Sequence, residues 1–179
     1  DELERVLKRV KELIDKSRRE DEELDERSKE LVKKVLDELK DALRKIEKLV
    51  RDLKEMTDRG DIREEEIKRV AKEIEELLEE LERRVRKVTE EIDRLNKESH
   101  ERNRRVAEEI KRLLDELKRR GVIREEVRKD AERLIRENEE DNRRSNERNK
   151  KILKELKDAL DRVKEEVRKL IRRLEEEAR

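Results

Sequence analysis

The chain has no cysteine, no proline, no phenylalanine, tyrosine or tryptophan, only two glycines and no net charge. Each absence removes a class of structure or function. Without cysteine there is no disulfide, no thiolate nucleophile and no zinc–thiolate site. Without aromatic rings there is nothing on which a nucleobase could stack and no aromatic-lined ligand pocket. Lysine plus arginine equal aspartate plus glutamate at 55 each. That balance excludes the basic excess that neutralises nucleic-acid phosphate and the polybasic patch that binds anionic membranes. No apolar run approaches the roughly 18–20 residues of a membrane span, and the first residues carry no apolar signal-peptide core. Without proline, and with glycine at only Gly60 and Gly121, nothing interrupts a helix over most of the 179 residues.

What remains is charge and aliphatic carbon. Charged residues make up 61% of the chain and apolar residues 30%. Such a ratio is compatible with disorder, but the apolar residues recur in steps of three and four. The first third reads Leu3, Leu7, Val10, Ile14 and later Leu31, Val35, Leu39, Ala42, Ile46, Leu49, Leu53, Met56. The second reads Val70, Ile74, Leu77, Leu78, Leu81, Val85, Val88, Ile92, Leu95, and the third Ile152, Leu156, Leu160, Val163, Val167, Leu170, Leu174. Flanking apolar residues widen each seam to the width of a bundle core.

The glycines cut the chain into near-equal thirds. Each opens a copied phrase, Gly60-Asp61-Ile62-Arg63-Glu64-Glu65 and Gly121-Val122-Ile123-Arg124-Glu125-Glu126. Glycine after a helical run is a C-terminal stop, because it takes positive φ without a Cβ clash. Asp61 with Glu64 reads as a capping box for the next helix. These signals predict three helices, about 2–58, 62–119 and 123–178, in one domain over 1–179. Each would be roughly 85–90 Å long at 1.5 Å per residue. Short loops make neighbours antiparallel. The expected fold is all-α: a single-chain antiparallel up-down-up three-helix bundle of very long helices.

Every asparagine, every serine and the one histidine fall into three bands, one per third. Folded up-down-up, the bands overlap at one level, and the seam runs through them in step. It reads Ile14, Ser17, Asp21, Leu24, Ser28, Leu31 in the first helix and Leu95, Ser99, Asn103, Val106 in the second. In the third it reads Leu134, Asn138, Asn142, Ser145, Asn149, Ile152. The implied layers are Ser17 with Asn103 and Asn138, then Asp21 with Ser99 and Asn142. Next come Leu24 with Leu95 and Ser145, then Ser28 with Ile92 and Asn149. Asparagine supplies both donors and an acceptor, and serine a rotatable hydroxyl, so the band reads as a buried hydrogen-bond network. The competing reading is a solvated waist, since Arg18, Arg19, Glu22, Glu23, Arg104, Arg105, Arg143 and Arg144 offer no apolar rim.

His100, beside Ser99, is read as a network or boundary residue. One histidine with no cysteine is poor metal chemistry, and neighbouring helix positions point about 100° apart, which is not triad geometry. There is no glycine-rich phosphate loop. No catalytic, metal or cofactor-binding residue is nominated, and no enzyme activity is expected.

The Glu/Lys/Arg/Leu surface, the repeated Gly-x-Ile-Arg-Glu-Glu turn and the Ser/Asn band together resemble computationally designed helical bundles with modular hydrogen-bond networks. The resemblance covers the full length. It implies a soluble scaffold that needs no cofactor and no required partner, nucleic acid or membrane. It also implies the alternative of a binding module, self-associating or paired with a designed helical partner, whose polar band sets specificity. The chain departs from that pattern in having a band continuous over several layers.

Overall fold

The structure, a computed structural model, describes residues 2–60 and 63–177. Three helices account for nearly all of it: α1 (Glu2–Asp58), α2 (Glu64–Arg119) and α3 (Glu125–Glu177). The up-down-up order is visible in the pairing. Partners on α2 descend as α1 ascends, from Ser17–Asn103 to Asp21–Ser99. Partners on α3 ascend with α1, from Ser17–Asn138 to Asp21–Asn142.

Both glycines stop their helices as the sequence predicts, at φ 73° for Gly60 and 69° for Gly121. At Gly121 the cap is a Schellman motif. Gly121 N–H donates to the Lys118 carbonyl at 3.0 Å and Val122 N–H to the Leu117 carbonyl at 3.0 Å, so two orphan carbonyls are satisfied. Gly60 N–H makes the equivalent bond to the Thr57 carbonyl at 3.1 Å. The Asp61 cap, the start at 62 and the end at 178 lie outside the described residues. α3 begins at Glu125, later than the expected 123, because Ile123 packs against a core cluster before the helix starts.

The chain forms two compact units. The first comprises residues 1–29 and 91–151. Its apolar cluster is built from Val10, Leu13, Ile14, Ala107, Ile110, Leu114, Ala131 and Ile135, with Val6 and Leu134 packed on its margin. The second comprises residues 30–90 and 152–179. Its core is aliphatic, with Ile46, Leu156 and Val167 fully buried. Thr57 and Thr89, the two hydroxyls outside the polar bands, donate to the carbonyls of Leu53 and Val85 one turn back, both at 2.8 Å. That internal bond satisfies a helical threonine without a partner.

The buried seam departs from the expected one in a systematic way. Val32 and Val50 are buried where Leu31 and Leu49 were expected, Asn96 where Leu95 was, and Ile135 and Leu153 where Leu134 and Ile152 were. Each expected residue sits one position early. Met56, expected on the seam, is 44% exposed. The cause is the period. Ile14, Val32 and Val50 are 18 residues apart, as are Ile74, Ile92 and Ile110, and Ala131, Asn149 and Val167. Eighteen residues make five turns of about 3.6, the period of a straight helix, whereas a heptad-like alternation of three and four falls behind it.

Candidate functional site

Among the described residues ten polar side chains are buried, and all belong to the first unit: Ser17, Asp21, Ser28, Asn96, Ser99, Asn103, Asn138, Asn142, Ser145 and Asn149. Helix geometry explains the grouping. Steps of three and four keep each helix's members on its core face, so small polar residues replace aliphatic ones without breaking the seam.

The first layer joins Ser17, Asn103 and Asn138. Asn138 Nδ2 donates to Asn103 Oδ1 at 2.6 Å and to Ser17 Oγ at 3.4 Å, and Ser17 Oγ donates to Asn103 Oδ1 at 3.3 Å. The second layer centres on a carboxylate. Ser99 Oγ donates to Asp21 Oδ1 at 2.8 Å, and Asn142 Nδ2 lies 3.2 Å from both Asp21 oxygens and 2.7 Å from Ser99 Oγ. Serine is the short member of each layer, which lets the amide of the facing helix reach across.

Above these the pairing differs from the expected layers. Ser145 Oγ donates to Asp25 Oδ1 at 2.5 Å instead of facing an apolar Leu24 layer, and Arg148 Nη2 reaches Asp25 Oδ2 at 2.9 Å. Asn149 Nδ2 donates to Asn96 Oδ1 at 3.0 Å. Ser28 is fully buried, and its Oγ has no hydrogen-bond partner among the described residues. His100 is exposed, one position past Ser99, and takes no part in these bonds. Asp25 and Asn96 are network members that the sequence reading did not nominate. The 18-residue period would have found Asn96, which follows Leu78 on the seam by that interval. Asp25 carries no such signal, because an aspartate at the edge of a core face looks like any surface aspartate.

A charged rim covers the band in place of an apolar one. Arg102 pairs with Glu20, Arg27 with Glu91 at 3.0 Å, and Arg18 with Asp141 at 3.6 Å. Long basic side chains of this kind can lay their aliphatic stems along a helix surface while the charged ends stay in water.

Burial pushes the Asp21 carboxyl above its ordinary value of 3.8, against the hydrogen bonds from Ser99 and Asn142 and the charge of Arg102, with Asp25 adding to the rise. The folded state therefore binds this proton more tightly than the unfolded chain does. Asp21 favours folding fully below the ordinary value, and that contribution is lost as pH rises through the raised one. Asp21→Asn keeps an oxygen for Ser99 and removes the charge. The variant is expected to be more stable than the parent near about pH 7, with the difference closing toward about pH 3. Urea melts of both proteins across that range check it; a difference independent of pH would show that the charge is not what costs stability.

The rest of the surface offers no chemistry of comparable order. A groove of about 340 Å³ in the first unit is lined by residues that include Leu114, Asp115, Arg128, Glu132, Ile135 and Arg136, and Arg128 is held by Glu132 at 3.3 Å and Asp115 at 4.0 Å. Among the described residues no cluster of three histidine, aspartate or glutamate side chains could hold a metal, and no helix is long and apolar enough to cross a membrane.

The chain matches no protein-family model and no curated protein. Among solved structures it is similar to a computationally designed three-helix bundle, with a TM-score of 0.87 at 20% sequence identity. The likeness covers 99% of this chain and 90% of that one. The fold is thus a three-helix bundle, here carrying a buried Asn/Ser network.

Proposed function

We propose that this chain is a designed structural scaffold, with no natural biochemical activity, whose polar band fixes the register of its three helices. One observation carries the reading. The two lower layers are hydrogen-bonded within a single chain, each drawing one residue from every helix, with Asn138 Oδ1 the one buried atom of these six side chains left unmatched among the described residues. Shifting α1 by one turn breaks the bonds of both layers and, in one direction, sets Ser17 against Ala107 and Ile135. Each stranded polar group then costs about 1–3 kcal/mol, which penalises the shifted state. The likeness to a designed three-helix bundle and the copied turns support the designed origin.

No partner is required in this reading. Met56 is the one large apolar side chain exposed among the described residues, which supports a chain that stands alone. Light scattering coupled to gel filtration should return the mass of one 22.0 kDa chain at every concentration. A stable dimer or trimer would favour the alternative, a binding module whose band selects its partner.

The register role has its own test. With all ten buried band positions made aliphatic, the protein is expected to remain helical and melt higher. It should also give several sets of amide resonances or a spread of masses. A single monomeric species from that variant would remove the register role.

A further inference from the structure

Among the described residues, the two lower layers leave one buried side-chain atom unmatched, Asn138 Oδ1, whereas the top layer leaves three. Asn149 Nδ2 donates to Asn96 Oδ1 at 3.0 Å. The other ends of both amides, Asn149 Oδ1 and Asn96 Nδ2, have no partner among the described residues, and neither has Ser28 Oγ. All three side chains are more than nine-tenths buried, at 1%, 6% and 0% exposure. Ser28 is placed with them by register. Ser17 meets Asn138 and Asp21 meets Asn142, an offset that sets Ser28 level with Asn149. Asn96 lies about one turn below on α2 and reaches up to Asn149. Leu24 and Ile92, both buried, are the apolar neighbours along the seams of α1 and α2.

The unmatched atoms are chemically complementary to one small molecule. Asn149 Oδ1 can only accept, Asn96 Nδ2 can only donate, and the Ser28 hydroxyl can do either. They are too specific in sign for an ion. An anion would face the Asn149 oxygen and a cation the Asn96 amide, each in a core without a neutralising charge at that level. A neutral molecule that donates and accepts through one oxygen meets all three. Serine at position 28 is also smaller than its neighbours one turn away on the seam, Leu24 and Val32, and so fills less of the space beside the amides.

We propose that Ser28, Asn96 and Asn149 form a binding site for a single internal water molecule. The water donates to Asn149 Oδ1, accepts from Asn96 Nδ2 and shares a hydrogen bond with Ser28 Oγ. Three bonds are usual for a buried water, and each would satisfy an atom that the protein leaves unmatched. The top layer then has the same logic as the lower two: one residue from each helix, with the water taking the bridging part that Ser17 or Ser99 plays below.

Magnetic relaxation dispersion of water ²H and ¹⁷O in solutions of the full chain counts waters that stay bound longer than the protein tumbles. Ser28→Val removes the hydroxyl and fills its space, and Asn149→Leu removes the acceptor at the same level. Each variant is expected to show one long-lived water fewer than the parent, while Ser17→Ala, in the lowest layer, should leave this water in place. Counts that match the parent in both Ser28→Val and Asn149→Leu overturn the site, as does a parent with no long-lived water. Should one variant fail to fold, the other alone decides. A high-resolution crystal structure gives the direct reading. Density at hydrogen-bond distance from all three atoms supports the site, and a direct Ser28–Asn149 contact overturns it.

Discussion

Replacing Asn142 with leucine should lower stability by about 2–3 kcal/mol, whereas replacing Asp21, Ser99 and Asn142 together with leucine, alanine and leucine should raise it by about 1–4 kcal/mol. The opposite signs follow from what each change leaves behind. Asn142 Nδ2 is the donor that faces both oxygens of the buried Asp21 carboxylate and also Ser99 Oγ. Without it the carboxylate keeps only Ser99 among its band donors, in a site where burial already disfavours its charge. Hydrogen bonds to charged groups are the strong ones, so the loss is large for a near-isosteric substitution. Removing the whole layer leaves no unmatched group and gains apolar burial. In thermal terms the single variant should melt roughly 4–12 °C lower, at about 2–4 °C per kcal/mol for a chain of this size. Urea melts of the single, double and triple variants form a cycle that isolates the coupling. A triple variant less stable than the parent would mean that the network contributes net stability, and the register argument would lose its premise that polarity is retained at a cost.

The sign of that experiment was legible in the sequence, and so were its residues. Ser17, Asn103 and Asn138, and Asp21, Ser99 and Asn142, follow from two operations alone: stepping along a helical face, and folding three equal segments up-down-up. Both work well here because glycine marks the turns and nothing else breaks the helices. The upper part of the band was less legible. The step from Ile92 to Leu95 keeps a three–four alternation but lands one position early; the straight-helix period lands on Asn96, and Asn149 bonds to it. Asp25 could not be singled out from 55 acidic residues, since only the arrival of Ser145 and Arg148 from α3 distinguishes it. His100 drew notice as the only histidine, yet one residue past a core serine is a rotation of about 100°, enough to put it in solvent.

The same reasoning applies to the rim. Charged residues around the band suggested a solvated waist because a sequence shows charges singly. In the structure Arg18 pairs across helices with Asp141, while Arg104, Arg143 and Arg144 pair within their own helices with Glu101 and Glu140; Arg27–Glu91 and Arg102–Glu20 are further cross-helix pairs. Exposed pairs of this kind add about 0–1 kcal/mol each, so their effect is less stability than cover. Beneath them Asn142 and Asn149 are as deeply buried as the isoleucines of the same unit.

The largest single loss is expected in the second unit. Leu156→Ala should cost about 2–5 kcal/mol, toward the upper end of that range. Leu156 has no exposed surface, and among the described residues the second unit buries no polar residue that water could follow. Val32, Val35, Val50, Val85 and Val167 are buried in the same unit, and β-branched side chains are stiff at χ1, so the core can collapse only partly into the space left. Leu156→Met, which conserves volume, should cost less than about 1.5 kcal/mol. Native-state hydrogen exchange resolves the loss by region. Among the described residues the second unit buries 17 apolar side chains, and the first buries 11 beside its ten polar ones, so amides of the parent should be best protected in the second unit. Amides at Ser17–Ser28, Asn96–Asn103 and Asn138–Asn149 should open at lower free energy. Leu156→Ala is expected to reduce protection in the second unit most and to narrow that gap. If the band amides instead prove the slowest to exchange in the parent, then hydrogen bonding, and not aliphatic burial, dominates local stability in this bundle.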